Sequence, residues 1–307
     1  MAHKVASSRA VSPSMISTTS RPRDRLAGRD LCSRSQTSAN VPASLEILEE
    51  RPNALVRLIC FPWAGGEAVK DYRALKLSQA LPDFVEVVGF RWAGRGRRHA
   101  EPSWTGFGWI PGEAQACIAF LTEKPFAFFG HSMGSSAAYE WARWLTLNTS
   151  LRPIHLFVSG TVPPQLHVEL LKMGVGGLSR DEQCKKIHFL SGTPIAVLKA
   201  NNYQALKAIL PVLSADLDLA DTYKDELRSR SDCFPTLTCN ITASVGDSDH
   251  LNHGNMERWR EVTAGSTVFQ TFPGRHFYFR ERKETFGDLT AAVARTLARE
   301  TTPASKL

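Results

Sequence analysis

The sequence predicts an α/β fold in which a mostly parallel central sheet is flanked by helices and carries a helical lid insertion. Three observations lead to this prediction. A Gly-x-Ser-x-Gly motif lies between a strand-like and a helix-like segment. One late strand-like segment is followed by a loop with aspartates and another by a loop with a histidine. An early strand-like segment ends in a glycine-rich turn. We expect this domain to span residues 45–300.

The motif Gly-His-Ser-Met-Gly occupies residues 130–134, after the apolar segment 125–129 and before the helix-compatible segment 135–145. A strand, a sharp turn and a helix around such a motif form the nucleophile elbow of α/β-hydrolases. Glycine is needed two positions before and after the serine, because larger side chains would collide in the turn. The pattern alone also arises by chance, so the flanking strand and helix carry the inference. We expect Ser132 to be the nucleophile.

The serine needs an imidazole base held by a carboxylate, and in this fold the acid and then the histidine follow the serine along the chain. Residues 237–245 and 266–272 each contain several β-branched residues and are predicted to be late strands of the sheet. The first is followed by Asp247 and Asp249, and the second by His276. We expect Asp249 to orient His276, with Asp247 as the alternative acid.

An oxyanion hole needs two N–H groups, one after the nucleophile and one from the loop after an early strand. Residues 55–61 read as that strand and open into Pro-Trp-Ala-Gly-Gly at residues 62–66. Proline has no N–H, so Trp63 or Ala64 must supply the group. We expect Ala64 to act with Met133, although an ordinary glycine turn at a strand end would have the same sequence.

The combined motifs resemble those of the type II, or external, thioesterases that serve polyketide and nonribosomal peptide synthetases. The related medium-chain thioesterase of fatty acid synthase is similar too. The resemblance spans roughly residues 55–297 and rests on segments in the family's order, at residues 61–66 with Tyr72, 93–98, 130–134, 190–194, 210–216 and 272–277. It implies hydrolytic release of acyl chains from a phosphopantetheine thiol, on coenzyme A or on a synthase carrier domain. It places the triad on Ser132, Asp249 and His276, with no cofactor and no metal.

Three positions depart from the family's pattern. Ala93 replaces a proline before Gly-Arg, Ser214 replaces an arginine before the Ala-Asp of the lid, and His250 follows Asp249 where proline is common. None of these changes removes a catalytic group. Two other functions stay open at this point: an oxygen-ester hydrolase (carboxylesterase) on the same triad, and a non-catalytic binding protein that retains the fold.

The lid is predicted over about residues 165–222, mainly helical and interrupted at Pro194 and Pro211. Six apolar side chains would form the underside of the lid: Leu206, Ile209, Leu210, Leu213, Leu217 and Leu219. They would either line an acyl channel or only seal the lid onto the core.

A basic cluster of Arg95, Arg97 and Arg98 follows the predicted strand 85–90. It would suit the phosphates of coenzyme A or of a carrier arm, or else be solvated or paired with a carboxylate such as Glu101.

Residues 1–44 are rich in Ser, Thr and Arg without apolar periodicity, and we expect a disordered basic tail. The tail contains most of the chain's net charge of +7, so that charge is weak evidence for nucleic-acid binding. No apolar stretch is long enough to span a membrane. The six cysteines lie far apart without metal-ligand spacing, which favours a reducing compartment without structural disulfides.

Residues 301–307 read as a flexible tail ending in Ser305, Lys306 and Leu307. A C-terminal Ser-Lys-Leu is a peroxisomal address read by an import receptor, and it favours acyl-coenzyme A as substrate. The Arg- and Ser-rich N-terminus resembles a mitochondrial presequence, but Asp24 and Asp30 interrupt it and it lacks an amphipathic face. We expect a peroxisomal location, with the cytoplasm or the mitochondrion as alternatives.

Overall fold

Seven strands form a single sheet in the computed structural model, which describes residues 41–169, 203–230, 236–249 and 254–302, Asn252 and scattered positions between 174 and 186. The strands are β1 (Leu45–Ile47), β2 (Val56–Phe61), β3 (Val85–Phe90), β4 (Phe126–His131), β5 (His155–Ser159), β6 (Asn240–Gly246) and β7 (Thr267–Phe272). Their order across the sheet is β1-β3-β2-β4-β5-β6-β7, and every neighbouring pair is parallel except β1 with β3. The predicted fold class is confirmed.

Helices cover both faces of this sheet. They are α1 (Ala68–Ala74), α2 (Leu77–Ala80), α3 (Ile110–Thr122), α4 (Met133–Asn148), α5 (Pro164–His167), α6 (Tyr203–Ser229), α7 (Tyr278–Glu281) and α8 (Lys283–Thr301). Successive residues of β2 point to opposite faces, so Ile59 packs with α3, α4 and α6, whereas Leu58 packs with α1, α2, α7 and α8. In the described part of the chain, no helix is both long and apolar enough to cross a membrane.

Strand β1 lies at the antiparallel edge of the sheet and is the first strand or helix of the described chain. Just before it, Ser44 is buried, and its carbonyl accepts a hydrogen bond from the Arg91 N–H at 2.7 Å. Most of the tail predicted over residues 1–44 lies outside the described residues, and so does the terminal tripeptide at residues 305–307.

The described part of the insertion between β5 and β6 consists mainly of α5 and α6. The predicted interruption at Pro211 is wrong, because α6 continues through this residue. Proline removes one N–H and crowds one carbonyl, which is a local defect, while the following turns bury Leu217, Leu219 and Tyr223. That burial holds the helix together beyond the proline. Pro194 and the side chains of residues 203–209, including Leu206 and Ile209, lie outside the described part.

The strand register brings the ends of β4 to β7 to one edge of the sheet. His131, the last residue of β4, lies opposite Ser159, the last residue of β5, and β6 and β7 end level with each other. Ser132, Asp249 and His276 follow β4, β6 and β7, so their loops open on the same edge.

Candidate active site

Ser132 occupies a strained turn between β4 and α4. Its backbone has φ 54° and ψ −125°, a positive-φ conformation outside the left-handed helical region that non-glycine residues rarely adopt. Its N–H donates to the Ser159 carbonyl at 2.8 Å, which ties the turn to β5. The residue remains partly exposed, so the turn presents its hydroxyl at the edge of the sheet.

The two motif glycines are required by close backbone contacts. A Cβ atom at Gly130 would overlap the carbonyl of Gly134, and a Cβ atom at Gly134 would overlap the carbonyl of Phe61. The second contact packs the start of α4 against the end of β2. The steric requirement predicted for both glycines is therefore present.

A buried hydroxyl, which the sequence analysis did not identify, braces the elbow from below. Ser135 Oγ lies 2.7 Å from the Gly130 carbonyl and 3.0 Å from the Ser159 carbonyl, and it accepts the Ser159 N–H at 3.0 Å. It joins β4, β5 and α4 directly beneath Ser132. A serine on an otherwise apolar helix face was the only local signal for this role.

His276 and Asp249 meet at the same edge of the sheet. His276 Nδ1 lies 2.9 Å from Asp249 Oδ2, and the Asp249 side chain is only 1% exposed. The Asn252 amide donates to both carboxylate oxygens, at 3.3 and 3.1 Å. An imidazole that donates through Nδ1 keeps Nε2 as the nitrogen that accepts a proton. The pair therefore has the arrangement of a base and its orienting acid.

Asp247 lies in the same loop but has a different environment. It is exposed, and its Oδ1 accepts from the Ser248 hydroxyl at 2.9 Å and from the Gly274 N–H at 3.1 Å. The structure therefore brings Asp249 rather than Asp247 to His276.

Gly160 links the position of His276 to that of Ser132. A Cβ atom at Gly160 would lie 3.2 Å from His276 Cε1. Gly160 directly follows Ser159, whose carbonyl binds the Ser132 N–H. The imidazole and the serine therefore lie beside the same end of β5.

A second imidazole is buried behind the first. The His131 ring centroid lies 4.9 Å from that of His276, and its Nδ1 lies 2.9 Å from Ser159 Oγ, which is itself 2.8 Å from the Tyr278 hydroxyl. Burial, assisted by His276 and Arg280, lowers the pKa of His131 well below its ordinary value. Its Nε2 has no hydrogen-bond partner among the described residues. His131 is thus a neutral residue that connects the elbow to the segment after His276.

The turn that follows β2 contains the predicted oxyanion donor. The Gly66 N–H donates to the Trp63 carbonyl at 2.9 Å, and Gly65, the third residue, has φ 76°, as a type II turn requires. Ala64 is partly exposed and Met133 is buried. Because the start of α4 packs against the end of β2, these two residues belong to adjacent segments.

The predicted arginine cluster is mostly engaged in ion pairs. Arg98 contacts Glu101 and Glu113, each at 2.5 Å. For Arg98, the predicted alternative of pairing with a carboxylate such as Glu101 is therefore the one that the structure has. Arg97 is 80% exposed and lies 3.6 Å from Glu46.

Arg95 forms a buried, bidentate pair with Asp216 of α6, at 2.5 and 2.9 Å. The same carboxylate accepts the Gly65 N–H at 2.6 Å, and Arg95 donates to the Gly66 carbonyl at 2.8 Å. Burial raises the pKa of the Asp216 carboxyl, and Arg95 and the Gly65 N–H oppose that rise. With Arg95 and Arg98 both paired internally, the phosphate-binding interpretation has no support from them.

The described cysteines offer no competing nucleophile. Cys60, Cys117 and Cys239 are buried free thiols, and burial raises the pKa of each, to about 12 for Cys117 and Cys239. Thiols with such high pKa values stay protonated and unreactive at neutral pH.

The chain as a whole matches known proteins. The family described as "Thioesterase domain" matches residues 56–299. The medium-chain S-acyl fatty acid synthase thioesterase of Anas platyrhynchos is 37% identical over 240 residues, which cover 77% of this chain and 91% of that protein.

Solved structures give the same result. RedJ, a thioesterase from the prodiginine pathway of Streptomyces coelicolor, matches with a TM-score of 0.68 and 31% identity, over 80% of this chain and 88% of that chain. BorB, the type II thioesterase from the borrelidin biosynthetic cluster, matches with a TM-score of 0.62 and 27% identity, over 84% of this chain and 97% of that chain. The resemblance stated from the sequence is confirmed, and the chain belongs to the thioesterase family, which has the α/β-hydrolase fold.

Proposed function

We propose that this thioesterase hydrolyses acyl thioesters of phosphopantetheine through a triad of Ser132, His276 and Asp249. The observation that carries the proposal is the 2.9 Å hydrogen bond between His276 and Asp249, located beside the strained turn of Ser132. The family match supports the thioester as the substrate class.

In the proposed acylation step, Ser132 Oγ attacks the thioester carbonyl while His276 Nε2 takes the hydroxyl proton. Asp249 stabilises the resulting imidazolium through Nδ1–H. The N–H groups of Ala64 and Met133 bind the oxyanion of the tetrahedral intermediate. The intermediate collapses, the carbon–sulfur bond breaks, and the imidazolium returns its proton to the departing thiolate.

The second half of the cycle removes the acyl group from Ser132. His276 takes a proton from a water molecule, which attacks the acyl-enzyme carbonyl, and the same two N–H groups bind the new oxyanion. The intermediate then collapses and the ester bond breaks. The His276 imidazolium returns its proton to Ser132 Oγ, which restores the hydroxyl as the carboxylic acid leaves.

Two carriers of the acyl group share the phosphopantetheine thiol. Two relatives, one named as a fatty acid synthase thioesterase and one as a gramicidin S biosynthesis protein, favour an acyl group on a synthase carrier domain. The terminal Ser-Lys-Leu instead favours acyl-coenzyme A in the peroxisome and an import receptor as partner. That tripeptide lies outside the described residues, so the peroxisomal address is proposed from the sequence alone.

The test compares the wild-type protein with Ser132→Ala on acyl-coenzyme A, on an acyl-carrier protein and on matched oxygen esters. We expect thiol release to fall by about 10⁴-fold or more in the variant. A fluorophosphonate should label the wild type and leave the variant unlabelled. Near wild-type turnover in Ser132→Ala would overturn the mechanism. A strong preference for oxygen esters would favour the carboxylesterase alternative, and absence of labelling in folded wild-type protein would favour the binding protein.

A further inference from the structure

The turn formed by Trp63, Ala64, Gly65 and Gly66 is held from outside by a distant part of the chain. Asp216, which is 151 residues after Gly65, accepts the Gly65 N–H at 2.6 Å. A Cβ atom at Gly65 would lie 3.3 Å from Leu213 Cδ1, so α6 also covers the turn with an apolar side chain. One helix of the lid insertion therefore contacts the turn at two points.

The bond to Asp216 fixes a peptide that the turn itself leaves free. The internal hydrogen bond joins Trp63 and Gly66 and does not use the Gly65 N–H. Type I and type II turns differ by rotation of the central peptide, here the one between Ala64 and Gly65. Glycine permits both orientations at low cost. The carboxylate therefore selects one orientation of that peptide. The Ala64 N–H belongs to the preceding peptide, whose Trp63 carbonyl accepts the Gly66 N–H at 2.9 Å, so the internal bond of the turn connects this donor to the peptide that Asp216 holds.

Arg95 makes this carboxylate compatible with an oxyanion nearby. A buried, unpaired negative charge beside the turn would oppose the negative charge that develops on the substrate oxygen. The bidentate contact with Arg95 neutralises Asp216, and the guanidinium also binds the Gly66 carbonyl at 2.8 Å. Both side chains are more than nine-tenths buried, so solvent screens this pair weakly.

We propose that Asp216, neutralised by Arg95, is a positioning residue that holds the turn in the conformation that presents the Ala64 N–H, and so completes the oxyanion hole only when α6 is seated on the turn. This inference rests on the proposed function of Ser132 and Ala64.

The test uses two double variants that both lack the ion pair and differ only in the acceptor for the Gly65 N–H. Asn and Leu have nearly the same shape, so Arg95→Leu/Asp216→Asn keeps an acceptor that Arg95→Leu/Asp216→Leu lacks. Removing one oxyanion donor costs about 10²- to 10³-fold in kcat. A mispositioned donor should reduce kcat of the Leu/Leu variant by roughly 10-fold or more relative to Leu/Asn, with KM changed less than about 3-fold.

A second readout separates positioning from a merely structural role. An alkyl trifluoromethyl ketone adds to Ser132 and places an oxyanion in the hole, so its inhibition constant should rise in parallel with the loss of kcat/KM. The control is Arg57→Leu/Glu86→Leu, which removes a buried ion pair with a 2.7 Å contact. This pair lies near the N-terminal ends of β2 and β3, whereas the turn follows the C-terminal end of β2. It should lower thermal stability and leave kcat within about 3-fold of wild type.

The outcomes are distinguishable. If Ser132→Ala is inactive while Leu/Leu and Leu/Asn have equal kcat and equal inhibition constants, the positioning role is wrong and the proposed function stands. If Ser132→Ala retains turnover, the proposed function fails first. A kcat loss in the Arg57/Glu86 control equal to that of Leu/Leu would also overturn the inference, because it would reflect lost stability alone.

Discussion

His276 Nδ1 lies 2.9 Å from Asp249 Oδ2, and the contact joins the loops that follow two neighbouring strands of the sheet. Asp249→Asn should therefore lower kcat by about 10³- to 10⁴-fold, because an amide can donate to Nδ1 and stabilise the wrong tautomer. Steady-state thioester hydrolysis measures the effect. The matched control is Asp247→Asn in the same exposed loop, for which we expect a change below about 3-fold. Equal losses in the two variants would contradict the assignment of the acid.

The backbone contact at Gly134 leads to a second prediction. Gly134→Ala should prevent the elbow from forming its native turn, because the new Cβ would overlap the Phe61 carbonyl. We expect destabilisation by roughly 2 kcal/mol or more and loss of fluorophosphonate labelling. Gly112→Ala is the matched control, since its Cβ would meet nothing within 4 Å and α3 should tolerate it. Urea unfolding and labelling assays distinguish the two, and normal labelling of Gly134→Ala would refute the steric account.

A buried histidine at the end of α5 predicts a dependence of stability on pH. Burial, with a smaller effect of Lys224, lowers the pKa of His167 from 6.5 to about 4. The folded state keeps this ring neutral while the unfolded chain binds a proton below pH 6.5. The free energy of unfolding should thus fall as pH decreases from about 6.5 to about 4, by roughly 2 kcal/mol already near pH 5.

The measurement for His167 is urea unfolding of wild type and His167→Gln at about pH 7 and about pH 5. The variant should lose less stability between the two conditions. Burial lowers the pKa of His131 and His155 as well, so part of the dependence will remain. The exposed His99, substituted in the same way, provides the control. An unchanged pH dependence in His167→Gln would contradict the prediction.

The terminal tripeptide gives a prediction about location. Deleting Ser305, Lys306 and Leu307 should leave hydrolysis in vitro unchanged and move the protein to the cytosol, because an import receptor reads this signal and none of the proposed catalytic residues belongs to it. Fluorescence microscopy of the N-terminally tagged protein, with and without the tripeptide, measures the effect. A cytosolic or mitochondrial location of the intact protein would refute the address and favour the acyl-carrier substrate.

The sequence was sufficient for features that depend on local pattern and strand order. Ser132 and His276 each follow a recognisable strand, and parallel strands end at one edge of a sheet. The choice between Asp247 and Asp249 needed burial, because both residues lie in one loop and the chemistry of their side chains is identical. Their separate environments appear only when the loop is folded.

Long-range partners explain what sequence reasoning missed. Arg95 and Asp216 are 121 residues apart, and no local pattern connects a loop arginine to a helix carboxylate in a different segment. Pro211 was predicted to interrupt α6 because propensity is local, whereas burial of the following turns is tertiary. In both cases the deciding contacts come from packing of the lid insertion.

The two imidazoles behind the nucleophile limit how much positive charge the site can hold. With ring centroids 4.9 Å apart, two imidazolium ions would repel by roughly 3 kcal/mol at an effective dielectric constant near 20. His131 is the buried ring, and its lowered pKa keeps it uncharged while His276 cycles. The pair therefore carries one positive charge at most, and the buried ring adds none when His276 takes the proton of Ser132.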